Sequence, residues 1–315
     1  MKRVLLLLMT VFLTACCPVR GEARLNIVTT TFPQYDWIVN IMGDEAENAD
    51  ITLLAKSGDM HSFQPSANDI IAISTCDMFV YVGGESDSWV NDVLKGARNP
   101  DMAAVSMLEI AGEGLIETSH EGHDHDEESH DHEERDEDHV YDEHVWLSLR
   151  MSQTICGELA EVLARLDPEN ASKYRENAQA YIEKLADLDE RYIATVESST
   201  KRTLLFADRF PFGYMTRDYG LEYCAAFEGC EAEAETSFET VAHLAKDLRE
   251  LNLSAVLVID GSNDDLASTV ISSAGMEPGD VEILRLNSMQ SANDQSKSYL
   301  SVMEDNLYVL QAALN

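Results

Sequence analysis

Short apolar runs, separated by segments with apolar residues every three or four positions, set the rhythm of this chain. Leu25–Thr30, Ile51–Leu54, Met78–Val82 and Ala103–Met107 predict strands. Between them, Asp36–Met42 (after Pro33), Asn68–Ser74 and Asp87–Lys95 predict helices, the second capped by Ser66. Strands alternating with helices mark an α/β lobe on a parallel sheet. Leu149–Leu166 then carries Met151, Ile155, Leu159 and Val162 on one helical face, with Ser148 as its cap.

Asn170 to about Val196 places Tyr174, Ala178, Tyr181, Leu185, Leu188 and Tyr192 at steps of three and four, with no Gly or Pro. Such a helix reaches roughly 40 Å, the length of a whole lobe. It reads as a rigid connector; a coiled-coil dimer helix is the competing use of the same stripe. After it the α/β rhythm returns. Thr203–Ala207, Leu221–Phe227, Ser254–Ile259 and Val281–Leu286 predict strands; Phe212–Tyr219, Phe238–Leu251, Leu266–Gly275 and Tyr299–Leu314 predict helices. The expected architecture is therefore α/β: two parallel-sheet lobes, over residues 25–166 and 200–315, joined by one long helix over 167–199.

Between the first lobe's strands and its last helix lies a stretch of opposite character. From His120 to Leu147 it reads HEGHDHDEESHDHEERDEDHVYDEHVWL and holds seven of the nine histidines. His120, His123, His125, His130, His132 and His139 stand among dense carboxylates, within a mobile loop expected over 118–140. Imidazole nitrogen and carboxylate oxygen are ligands of borderline and hard divalent cations. The run reads as a loose metal collector, or as a solvated linker that binds metal incidentally. A formal charge of −36 argues against nucleic acid, whose phosphates need Lys/Arg patches, and suits work among cations.

The N-terminus pairs Lys2 and Arg3 with an apolar run, Val4–Leu13, too short for an ordinary membrane span. It closes on Leu13–Thr14–Ala15–Cys16, which resembles a bacterial lipobox with lipid placed on the Cys16 sulfur; ordinary signal cleavage near Ala23 is the alternative. Residues 1–24 are thus leader, and the mature chain is expected outside the cytoplasmic membrane, tethered by lipid. Cys76 and Cys156 stand in apolar surroundings. Cys224 and Cys230, six apart, are candidates for a small disulfide loop.

Four residues share one placement. His61 follows the second strand, His144 enters a helix, and Asp208 and Asp260 each stand directly after an apolar strand. Ligands of open α/β sheets bind at the carboxyl ends of strands. Two imidazoles from the first lobe and two carboxylates from the second would hold a divalent ion in the cleft between them. Singly, such a His is usually solvated and such an Asp is usually a turn residue. The set, the histidine run and the export signal together point to metal.

Gly58–Asp59–Met60–His61–Ser62–Phe63–Gln64–Pro65, Asp142–Glu143–His144–Val145–Trp146–Leu147, Asp208–Arg209–Phe210–Pro211–Phe212–Gly213–Tyr214 and Val256–Asp260 resemble the four ligand segments of a known family. These are the metal-binding solute-binding proteins of bacterial zinc and manganese ABC importers. The resemblance covers nearly all of the mature chain. It implies a monomeric lipoprotein that presents zinc, with manganese or iron as alternatives, to an ABC permease and its ATPase. It implies no catalysis. A surface metal buffer or adhesin of the same fold is the alternative; a metallohydrolase is disfavoured because no HExxH pair occurs. One departure stands out. The family's third ligand, a His or Glu, aligns with Arg209, and a guanidinium cannot ligate a cation. Asp208 would take the role after a one-residue shift, with Glu235 as fallback.

Overall fold

The computed structural model describes residues 24–56, 58–118, 140–227, 229, 236–277, 279–290 and 296–315. The first lobe contains β1 (Asn26–Thr29), α1 (Phe32–Met42), β2 (Asp50–Leu53), α2 (Ala67–Thr75), β3 (Met78–Tyr81), α3 (Val90–Lys95), β4 (Ala103–Ser106), α4 (Met107–Ala111) and α5 (Leu149–Leu166). The helix α6 (Ala171–Ser198) leads to β5 (Thr203–Arg209), α7 (Gly213–Tyr219), β6 (Glu222–Phe227), α8 (Phe238–Glu250), β7 (Ala255–Ile259), α9 (Asp265–Ser273), β8 (Glu282–Leu286) and α10 (Tyr299–Ala313).

Each lobe has a four-stranded parallel sheet, ordered β2-β1-β3-β4 in the first and β6-β5-β7-β8 in the second. The two orders are the same topology repeated. In each, the direction of winding reverses beside the strand that opens the lobe, and such switch points leave a crevice at the strand ends. Burial of every residue of β7 suits a parallel strand covered on both faces.

The long helix forms as its pattern predicts. Tyr174, Ala178, Tyr181, Leu185, Leu188, Tyr192 and Val196 are all buried along one stripe. Its first half serves the first lobe, where Asn177 donates to Ile41 O and Tyr181 to Asp36. Its second half serves the other, where Tyr192 donates to Met303 O at 2.6 Å. The stripe is thus consumed inside one chain, which leaves the coiled-coil alternative no apolar seam. One continuous apolar core runs from Ile27 and Trp37 through Leu159 and Leu185 to Phe206 and Tyr299, so both sheets rest on a shared helical layer.

Three local departures have physical reasons. The helix expected from Asp87 starts at Val90, because Asp87 turns back to accept the N–H groups of Val82 and Gly83. Met107 leaves its strand to open α4, where the Ser106 hydroxyl caps Glu109 N. Strand β5 runs on through Asp208 and Arg209, so Asp208 lies within the strand and not after it. Among the described residues, no helix is long and apolar enough to cross a membrane.

Candidate metal centre

The His61 loop is pinned from both sides. Asp59 accepts His61 N–H at 3.1 Å, closing a short 3-10 turn over Met60–Ser62, and Met60 is buried. The His144 loop is held more tightly. Asp142 accepts His144 N–H at 2.9 Å and its Nδ1–H at 2.7 Å. Val145, Trp146 and Leu147, all buried, follow, and Ser148 caps α5 through Met151 N. Tyr214 on α7 donates to Asp142 O at 2.7 Å, tying this loop to the second lobe.

These anchors bring the two imidazoles together, Nε2 to Nε2, at 3.2 Å. A carboxylate only accepts, so Asp142 fixes the His144 proton on Nδ1 and leaves the Nε2 lone pair facing inward. His61 Nδ1 lies 2.7 Å from Ser86 Oγ and 3.5 Å from Glu143 Oε2, which favours the same tautomer. Two lone pairs therefore converge on one point. The side-chain amide of Gln290 meets both, with Nε2 at 2.8 Å from His61 and 2.7 Å from His144. One amide proton for each nitrogen satisfies the pair.

Glycine lets the two backing carboxylates approach. A Cβ on Gly84, at φ +85°, would lie 2.6 Å from Glu143 Oε1, and one on Gly213 would lie 2.9 Å from Asp142 Oδ2. The loop that delivers Gln290 turns at Met289, whose φ of 56° is in the left-handed region that side chains disfavour. That turn is held because Met289 is buried and Trp146 Nε1 donates to Ser288 O at 2.8 Å.

The acids expected from the second lobe take other positions. Asp208 accepts Arg209 N–H at 2.8 Å with one oxygen and Ile259 N–H at 3.0 Å with the other, stitching β5 to β7. Asp260 accepts from the Asn287 amide at 3.0 Å and lines a cavity that also reaches Gln290. Among the described residues, no three His, Cys, Asp or Glu side chains form one ligating group, so the structure joins His61 to His144 but does not add Asp208 or Asp260 to them. The reason is the extension of β5: inside a strand, Asp208 meets the backbone of its neighbour. Arg209 Nη1 instead reaches across to Asp59 at 2.7 Å. Burial alone would raise the Asp59 carboxyl. The hydrogen bonds from Arg209 and His61 N–H, with the charges beside them, outweigh burial and hold it below the usual range.

Cys224 is a free thiol, pushed up to about 11 by burial and by Asp247; the expected Cys224–Cys230 bridge involves a residue outside the described ones. Cys16, Cys230, Glu235 and the loop residues His120, His123, His125, His130, His132 and His139 lie outside the described residues.

A sequence model of the family described as “ZnuA: Zinc-uptake complex component A periplasmic” matches residues 27–313. The chain belongs to the ZnuA family. It is 32% identical over 326 residues to the “Zinc-binding protein AdcA” of Streptococcus pyogenes serotype M3, an alignment covering 99% of this chain and 61% of that protein. It is 31% identical over 294 residues to the “High-affinity zinc uptake system protein ZnuA” of Bacillus subtilis, covering 92% of this chain and 88% of that one. The chain thus spans about three-fifths of the AdcA relatives and most of the B. subtilis protein. The crystal structure of the Zn(II)-bound ZnuA-like domain of Streptococcus pneumoniae AdcA superimposes with a TM-score of 0.71 at 25% identity, covering 93% of this chain and 99% of that one. Two lobes with repeated parallel sheets are the ZnuA-family fold.

At this candidate site, Gln290 escapes sequence reasoning because its partners lie 229 and 146 residues away. Its position just past β8 is the available signal, since strand carboxyl ends are where such sheets bind ligands.

Two expected results follow from the groups behind the imidazoles. Asp142→Ala removes the carboxylate that orients His144 and should weaken zinc binding by roughly 10–100-fold, the usual cost of losing such a partner. Chelator competition checks this; unchanged affinity would remove Asp142 from the site. The second concerns Asp87, whose carboxyl burial pushes up to about 6, against the lowering N–H groups of Gly83 and Val82 and with a further rise from Glu143. A raised acid favours the folded state while protonated, so that stability is present at low pH and is lost as pH climbs through about 6. Asp87→Asn removes this dependence. In urea titrations of zinc-free protein, wild-type stability minus that of the variant should fall by about 2–3 kcal/mol between pH 4 and pH 7. A constant difference would contradict the assignment.

Proposed function

We propose that this chain is an extracytoplasmic solute-binding protein that captures zinc and passes it to an ABC importer. One observation carries the reading: the Nε2 atoms of two imidazoles, His61 and His144, from separate loops meet at 3.2 Å, each with its Nδ1 held from behind. Zinc takes imidazole nitrogen at about 2.0–2.1 Å in a tetrahedral shell. The chemistry is capture and release, with no bond made or broken.

In this reading His61 and His144 anchor the ion and displace the Gln290 amide. Asp260, on the wall of the adjoining cavity, is the second-lobe acid available to the ion's surroundings. Asp208 would have to surrender two backbone N–H groups to serve as a ligand, and the proposal leaves it in the sheet. Cys16 carries the lipid that tethers the chain, and the histidine loop collects zinc. The names of the relatives, zinc-binding AdcA and the zinc uptake protein ZnuA, support the same cargo.

Equilibrium dialysis of the whole chain against zinc, manganese and magnesium tests this. The expected result is one tight zinc site that survives removal of residues 119–138, with the weaker zinc lost. Failure to retain any of the three ions would overturn the proposal.

A further inference from the structure

The loop that follows β8 is braced from both lobes. Asn306 on α10 accepts Asn287 N–H at 2.8 Å and donates to Asn287 O at 2.9 Å. From the first lobe, Trp146 Nε1 donates to Ser288 O at 2.8 Å and Met60 N–H to Gln290 O at 3.2 Å. Between these anchors the backbone passes through the left-handed turn at Met289. Such strain persists where the surroundings over-determine it, and it gathers at functional positions. What the braced loop presents to the imidazoles is one buried amide, that of Gln290.

The orientation of this amide follows from its partners. Ser288 Oγ lies 2.9 Å from Gln290 Oε1, where a hydroxyl can donate. His144 Nε2 can only accept, because its Nδ1–H goes to Asp142. Gln290 Nε2 therefore faces the pair and gives one proton to each ring, at 2.8 Å and 2.7 Å. An amide NH₂ group donates and does not ligate. The lone pairs it covers are those that zinc needs, so amide and zinc exclude each other. On its other side Gln290 lines a cavity of about 220 Å³, with Asp260 and Ser262 in the same wall. At ~30 Å³ per water this is room for about seven waters, so a rotated amide fits there and meets acceptor oxygens. The braced backbone need not move.

We propose that Gln290 is a built-in competitor for zinc. Its amide covers both imidazoles, withdraws into the cavity as the ion binds, and covers them again as the ion leaves. It thereby lowers the affinity of the site to a level from which the cargo can be delivered. The inference rests on zinc capture by His61 and His144 as proposed above. The net worth of two hydrogen bonds corresponds to roughly a tenfold to hundredfold change in affinity.

Chelator competition on the full chain tests it with Gln290→Leu, which keeps the bulk and cannot donate. Zinc should bind this variant at least about tenfold more tightly than wild type. Gln290→Ala, which cannot crowd the loop, should shift affinity in the same direction, and urea midpoints check that both variants fold. Nitrogen NMR of the histidine rings gives a second readout. Gln290→Leu should move the Nε2 signals of His61 and His144 in zinc-free protein and leave them at wild-type values in zinc-loaded protein. A role confined to the fold would move both sets or neither. Zinc bound no more tightly than wild type by either folded variant would overturn this inference and leave zinc capture standing. Zinc bound by neither wild type nor variants would instead defeat the parent reading.

Discussion

Replacing either His61 or His144 by alanine should lower zinc affinity by more than about 100-fold. Losing a residue that merely orients a ligand already costs roughly 10–100-fold, so losing the ligand must cost more. Each tenfold step is about 1.4 kcal/mol. The two substitutions differ in what they leave behind. The His61 side chain is 23% exposed, so its removal opens a gap that water can fill. His144 is buried, and its removal leaves the Asp142 carboxylate without the Nδ1–H it accepts at 2.7 Å. His144→Ala should therefore cost stability as well as affinity, and His61→Ala mainly affinity. Chelator competition and urea unfolding on both variants separate the effects. Affinity within threefold of wild type for either would remove that residue from the site.

Trp146→Ala is the second large effect, and it falls on the fold. The indole is fully buried beside His144, with ring centroids 5.2 Å apart. Its N–H holds Ser288 O of the second lobe, and its own carbonyl accepts the Tyr299 hydroxyl at 2.6 Å. Truncating a buried Trp costs about 3–5 kcal/mol. Here it also releases the loop that carries Gln290. Trp146→Phe keeps most of the bulk and loses only the donor, so it should cost about 1–3 kcal/mol. Urea denaturation of the zinc-free proteins measures both. A cost below 1 kcal/mol for Trp146→Ala would mean that this contact does not join the lobes.

Local pattern made most of the fold legible. Helix α5 forms over the expected residues, and the apolar stripe of α6 is the one its spacing predicts, because burial of one face against a fixed layer writes a period of 3.6 into sequence. The repeated strand order follows from the repeated rhythm of apolar runs. The site was legible only in part. His61 and His144 stand out only as part of a set, beside the histidine run and the export signal, since a single loop imidazole is usually just solvated. Asp208 has the same local signature, yet the strand continues past it and its carboxylate serves Ile259 N. No neighbouring residue announces that extension. Gln290 and the Asp59–Arg209 pair are products of tertiary approach between lobes, and a side chain's partner 146 or more positions away leaves no periodic trace.

The central claim is that one zinc ion sits between His61 and His144. An anomalous difference map from a zinc-loaded crystal addresses it most directly. The expected result is a strong peak about 2.0–2.1 Å from both Nε2 atoms, with the Gln290 amide displaced. A map in which Gln290 still bridges the two imidazoles, with the zinc peak elsewhere, would contradict it.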